Sequence, residues 1–283
     1  MQIRLLAIFA FVIFMLSCSE KSNEPIIETQ EYFENSSLVI LVENNDGLLS
    51  ENALAEQYKA YLLPVISNIF EIPVESMQDM SINEIVEVYG EDWQIETITK
   101  AGEGHYGRIE ALSDEELTKQ NFIDLLEELT AEGRTIDLVF CLHGSKNSFF
   151  LNDDEEIPVK DFCDELESRN IAVRSLYQTC CYSNYTRPTW ESYGIKALNS
   201  ATGLNYITMF SPAYFLENWT DGMKFDEAVH QAYKMELEKL KSLDDTELPV
   251  LEYFLSEESL KGSKQICGGK NYKIKWYEYM LAL

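Results

Sequence analysis

Positive charge is scarce in this sequence. Lys and Arg number 22 against 49 Asp and Glu, a formal net charge of −27 over 283 residues. A chain of that sign repels phosphate backbones and anionic bilayer surfaces, so nucleic acid and direct contact with lipid headgroups are discounted as partners. The same acidity aids solubility and favours cationic substrates. Metal and nucleotide signatures are also missing. The six cysteines stand at 18, 141, 163, 180, 181 and 267, with no CxxC, so no zinc pattern arises. There is no GxGxxG and no phosphate-cradling P-loop, which leaves nucleotide chemistry without support. Histidine occurs three times, at 105, 143 and 230. No internal repeat and no low-complexity tract is present.

The N-terminal apolar run, Leu5 to Leu16, follows a basic Arg4 and is too short to span a bilayer as a mature helix. Met15-Leu16-Ser17-Cys18 resembles a bacterial lipoprotein signal, with a small residue before the cysteine. The resemblance implies removal of residues 1–17, lipidation of Cys18 and export to a membrane-anchored site in the bacterial envelope, on the periplasmic face or cell surface. An ordinary cleaved signal peptide is the alternative. Residues 18–36 are polar and without periodicity, and read as a flexible tether. The remaining residues, 37–283, suit one α/β domain. With Cys18 lipidated, five cysteines remain for an exported protein. Five is odd, so at least one thiol stays unpaired within a monomer.

Periodicity gives the expected order of elements. Ser37 to Glu43 is an apolar strand, closed by turn residues Asn44 to Gly47. Ser50 caps a helix over 51–69, which Pro64 kinks or ends, and 81–89 fits a second short helix. Trp93 to Thr99 alternates and reads as a strand, before a Gly-rich loop holding His105. Thr118 caps a helix over 119–132, ended by Gly133. A strand over 135–142, a polar loop over 145–157, a helix over 158–169 opened by Pro158, and a strand over 172–179 follow. A short helix is expected over 189–198 and a strand over 205–210. A helix over 224–241 and a late edge strand over 272–277 complete the chain. The alternation defines a doubly wound α/β fold with a mostly parallel sheet flanked by helices.

The stretch 135–181 carries the chemistry. One apolar strand runs into His143-Gly144 and the next into Cys180-Cys181, with a single helical crossover between them. A right-handed crossover puts both strand ends at one edge of the sheet, where active sites of open α/β folds lie. An imidazole beside a thiol lowers its pKa and later protonates a leaving amine. Gly144 allows the backbone close to a substrate, and its N–H can join that of Cys180 as donors to an oxyanion. Successive strand residues face opposite ways, so only one of Cys180 and Cys181 points productively. Leu142-His143-Gly144 is also similar to the oxyanion segment of α/β-hydrolases, but Gln178-Thr179-Cys180-Cys181-Tyr182 lacks the glycines of a nucleophile elbow. His105 can line a cleft. His230 reads as a surface or packing residue. The acidic loop 153–156 matches no calcium-binding spacing.

Ile136–Leu142 followed by His143-Gly144, and Val173–Tyr177 followed by Gln178-Thr179-Cys180, resemble the two catalytic blocks of the caspase-like cysteine peptidases, the clan of caspases, clostripain and gingipains. Weaker likeness extends over residues 112–242. The resemblance implies a caspase-like fold and cysteine endopeptidase activity on peptide or protein substrates, with no cofactor and no metal. It selects Cys180 as the nucleophile, His143 as the general acid/base, and the amides of Gly144 and Cys180 as the oxyanion hole. Three departures stand out: a short spacing of 180 − 143 = 37 residues, Thr179 in place of the usual alanine, and Cys181 directly after the nucleophile. They keep a second expectation in play, a catalytically inactive lipoprotein of this fold that binds a partner or ligand.

Overall fold

A computed structural model of the chain describes residues 27–32, 35–43, 59–152, 155–206, 208–243, 255–269 and 271–277. The framework is a six-stranded sheet. Its strands in chain order are β2 (Ser36–Glu43), β3 (Arg108–Leu112), β4 (Thr135–Leu142), β7 (Val173–Gln178), β8 (Ala197–Ala201) and β9 (Gln265–Gly268). In space they lie in the order β3-β2-β4-β7-β8-β9. Every pairing is parallel except β8 with β9, which is antiparallel. A separate hairpin joins β5 (Ser148–Phe150) to β6 (Glu156–Pro158).

The core explains why the strands read as unbroken apolar runs. Leu38 to Val42 of β2 have no exposed surface at all, because helices cover both faces of the sheet. Alternate residues go to different layers. Val39, Leu41, Leu138, Phe140 and Leu142 meet α3 (Lys119–Ala131), α4 (Val159–Ser168) and α5 (Arg187–Tyr193). Leu38, Ile40, Val42, Val139 and Cys141 meet α2 (Glu91–Gly102), α6 (Ser211–Thr220) and α7 (Phe225–Leu243). The first layer is built on aromatic rings: Phe122 stacks on Phe162 at 5.3 Å, and Phe140, Phe149 and Trp190 complete the group. A third apolar cluster packs α1 (Lys59–Phe70) on Met77, Ile82, Ile85 and Val86, outside α2.

Local signals fix the helix ends. Thr118 accepts the amide of Asn121 at 3.2 Å and starts α3, and Gly133 at φ +73° stops it. A buried ion pair marks the amino edge of the sheet. Asp137 accepts from both Arg174 and Ser175, and from Tyr106 Oη at 2.8 Å, where the β4–β7 register slips by one residue.

Several expectations change. Trp93 to Thr99 lies within helix α2, not a strand. Seven alternating residues satisfy both periods, since i and i+4 share a face in either. Burial of Glu91 together with Gln94, Ile98 and Gly102, a step of three followed by steps of four, fits only the helical one. The strand expected over 205–210 is absent from the described residues there. Its place in the sheet is taken by β8, which begins where the helix expected over 189–198 was to end; that helix is α5 and stops at Tyr193. β8 reads Ala-Leu-Asn-Ser-Ala, whose small and polar residues hide a strand buried on both faces. The tether expected over 18–36 contains a strand, β1 (Ile27–Tyr32). It pairs in parallel with β10 (Tyr272–Tyr277), the late edge strand expected from the sequence. Cys18, the apolar leader and residues 51–58 of the first expected helix lie outside the described residues. No helix among the described residues is long and apolar enough to cross a membrane.

Candidate active site

β4 and β7 are neighbours, paired in parallel with Phe140 opposite Gln178. The pairing continues one step, where the Thr179 amide donates to the Phe140 carbonyl at 2.8 Å. His143 follows β4 directly, and Cys180 comes two residues after β7. Both therefore leave the carboxyl edge of the sheet side by side.

The His-Gly turn is held by its own downstream chain. The amide of Phe150 donates to the His143 carbonyl at 3.1 Å, and that of Ser145 donates to Ser148 at 2.8 Å. Buried Phe149 then anchors the hairpin in the aromatic layer. This brings Gly144 hard against the cysteine turn. A Cβ placed on Gly144 would lie 2.6 Å from the Cys180 Cβ and 2.9 Å from the Cys181 carbonyl oxygen. Only glycine fits this position, because the cysteine turn lies against it.

One nearby and two distant side chains hold the cysteine turn. Ser183 Oγ donates to the Cys180 carbonyl at 2.8 Å and accepts the Ala201 amide at 2.9 Å. Asn205 Nδ2 donates to the Thr179 carbonyl at 2.9 Å, while its amide donates to Cys181 Sγ at 3.3 Å. Just below, the Asn199 carboxamide accepts the Gln178 amide at 2.6 Å and donates to the Gln178 carbonyl at 2.9 Å, acting as a rung where the β7–β8 ladder has ended. Tyr182 takes φ +55°, and its amide donates to the Gly203 carbonyl at 2.7 Å. Lys146, after the histidine, stands over the Tyr182 and Tyr185 rings, after the cysteines, at 6.0 and 5.3 Å. Ser183, Asn199 and Asn205 belong to no motif of the sequence. A short polar residue in an apolar stretch is their one signal, and it does not say which backbone it will meet.

The electrostatics are those of a covered thiol. Cys180 is 2 % exposed and packs in the aromatic layer with Leu142 and Trp190. Burial pushes its pKa well above that of a free thiol, and the Cys181 sulfur adds to the rise. The amides of Cys180 and Leu142 pull the other way. Cys181 is half-buried, also raised by burial, and takes a hydrogen bond from the adjoining segment. His143 is half-buried. None of the five described cysteines, 141, 163, 180, 181 and 267, is joined in a disulfide among the described residues.

The other candidates separate clearly. His105 is remote, at the amino edge beside β3, and lines a cleft between helices. Burial lowers its pKa and Asp221 opposes that shift. His230 is exposed on α7, with Nδ1 2.6 Å from the carbonyl oxygen of Asp226 in the same helix. In the acidic loop, Glu155 accepts the Lys119 amide and Glu156 accepts the Ser148 hydroxyl. No group of potential ligands among the described residues could hold a metal ion.

No protein-family model matches the chain, and no curated protein matches it.

Proposed function

We propose that the protein is a cysteine endopeptidase of the caspase-like kind, carried on an envelope lipoprotein through Cys18. The single observation behind this reading is the joint placement of His143-Gly144 and Cys180 just past the carboxyl ends of neighbouring parallel strands, with the Gly144 backbone pressed on Cys180. Five parallel strands flanked by helices, with one antiparallel strand at the edge, support the fold half of the reading.

In the proposed reaction His143 removes the Cys180 proton as the sulfur attacks the scissile carbonyl carbon. The Gly144 and Cys180 amides receive the developing oxyanion. Collapse of the tetrahedral species breaks the C–N bond, and the amine leaves with the proton held by His143. Water, deprotonated by the same imidazole, then cleaves the thioester. Asn205 and Ser183 hold the backbone on either side of the sulfur through the Thr179 and Cys180 carbonyls.

One observation favours a second reading. A thiol 2 % exposed and raised by burial is protonated and out of reach of a substrate. A protein that keeps the fold and binds a partner without catalysis would look the same. Labelling with acyloxymethyl-ketone probes of varied P1 residue separates the two. The peptidase predicts labelling of wild type and of Cys181→Ala, and none of Cys180→Ala or His143→Ala. Labelling that survives Cys180→Ala and disappears in Cys181→Ala moves the nucleophile by one residue. Folded wild type left unlabelled by every probe sinks the peptidase and leaves the binding module.

A further inference from the structure

A spacious cleft among the described residues lies away from the cysteine. It is an open cleft of about 770 Å³ between α1, α2 and α6, bordered also by Lys239 of α7 and by His105. That volume is in the range that holds small organic ligands. Its floor is lowered by Ala101 and Ala213, where larger side chains would fill the space. One wall is aromatic. Trp93 meets Phe210 edge-on at 5.5 Å, and Phe210 stacks on Tyr214 at 6.2 Å, so the rings brace each other.

The charges around this wall are of one predominant sign. Glu71, Glu103, Glu217 and Asp221 line the cleft and are exposed, against Lys100 and Lys239. One of the two cations is already committed: Lys239 Nζ stands 5.9 Å from the centre of the Phe210 ring. The wall thus already receives an ammonium group from the protein itself. An aromatic face next to carboxylates is the arrangement that binds organic cations. A chain of net charge −27 also raises the local concentration of cations around it.

We propose that this cleft is a binding site for a small organic cation, an ammonium group carried on an apolar or aromatic body. The apolar body lies on the Trp93–Phe210–Tyr214 wall. The ammonium takes the position now held by Lys239, within reach of the carboxylate rim. Lys239 is therefore a built-in competitor, displaced when the ligand enters.

Isothermal titration of the full chain with benzyltrimethylammonium, benzyl alcohol and phenylacetate tests this. The three share a ring and differ in charge. The cation is expected to bind saturably and at least about tenfold more tightly than the anion, the alcohol falling between. Tyr214→Ala should weaken the cation about tenfold, with circular dichroism checking the fold. The sharper variant is Lys239→Met, which removes the competitor and should tighten binding of the cation several-fold. Lys234→Met is the control. It deletes the same charge from α7 at a residue paired with Glu238 and outside the cleft, and should leave affinity unchanged. Phenylacetate binding as tightly as the cation, or no saturable binding by any of the three, overturns the proposal. So does an equal gain in Lys239→Met and Lys234→Met, which would reduce the effect to bulk charge.

Discussion

Gly144 is the residue on which the carboxyl edge turns. Its missing Cβ leaves the space that the Cys180 Cβ and the Cys181 carbonyl oxygen occupy. Gly144→Ala forces two backbone turns apart by several tenths of an ångström, in a region pinned by Phe149 and by Ser183. Overpacking of that kind costs about 1–3 kcal/mol, which should appear as a lower urea midpoint with an unchanged m-value. Cys180→Gly in the same chain removes one of the two clashing groups and should recover part of the loss. Full stability in Gly144→Ala alone would mean that the two turns are not in contact in solution.

At the level of elements, the junction between β8 and α6 is governed by a carboxylate. Glu236 of α7 is 1 % exposed, yet accepts the amides of Met209 at 2.8 Å and Ser211 at 2.7 Å at the start of α6. Burial pushes its pKa up, more strongly than the Ser211 hydroxyl and the amides of 209–211 pull it down. The folded protein therefore keeps this proton to a higher pH than the unfolded chain. Raising the pH past the unfolded value of about 4.3 releases the proton from the unfolded state first, and so disfavours folding. The stability of wild type relative to Glu236→Gln should fall from about pH 4.3 upward until the raised folded pKa is passed. Urea titrations of both proteins across that range measure it. A flat difference would show that Glu236 is not buried in solution.

These elements differ in how far they could be read from sequence. β2 and β4 are eight residues long, rich in Leu, Val and Ile and buried almost throughout, so composition marks them; β7, Val-Arg-Ser-Leu-Tyr-Gln, is marked more by its place between a helix and the cysteines, and the ends of β4 and β7 deliver His143 and Cys180. α3 carries its own cap and stop. α2 was hidden by seven residues that fit two periods. β8 was hidden because a central strand between two helical layers tolerates small residues. The candidate pair was legible because each member ends an apolar run. Its supports were not. Asn205 meets Thr179 across 26 residues and Asn199 meets Gln178 across 21, distances over which local patterning carries no information. The covering of the thiol was also out of reach, since burial depends on how Trp190 and Phe149 pack.

For the molecule as a whole, charge opposes compactness. With 27 excess negative charges, self-repulsion favours the expanded chain, and screening relieves it. The melting temperature should rise by a few degrees between about 20 mM and about 300 mM sodium chloride, as calorimetry would record. A decrease would mean that the ion pairs, such as Arg108 with Glu110, Glu128 and Glu132, outweigh the repulsion.

The strand β1 has one more effect. Under the lipoprotein proposal, the chain between the lipid on Cys18 and the first residue of β1, Ile27, is nine Cα steps, about 30 Å at full stretch. A domain of about 245 residues is roughly 45 Å across. The leash is shorter than the body it holds. Such a molecule cannot tumble freely on its anchor, and the side bearing β1 and β10 must face the bilayer. Whatever reaches the cysteine would have to arrive along the membrane or from the far side, so orientation alone would act as a filter on what the protein meets.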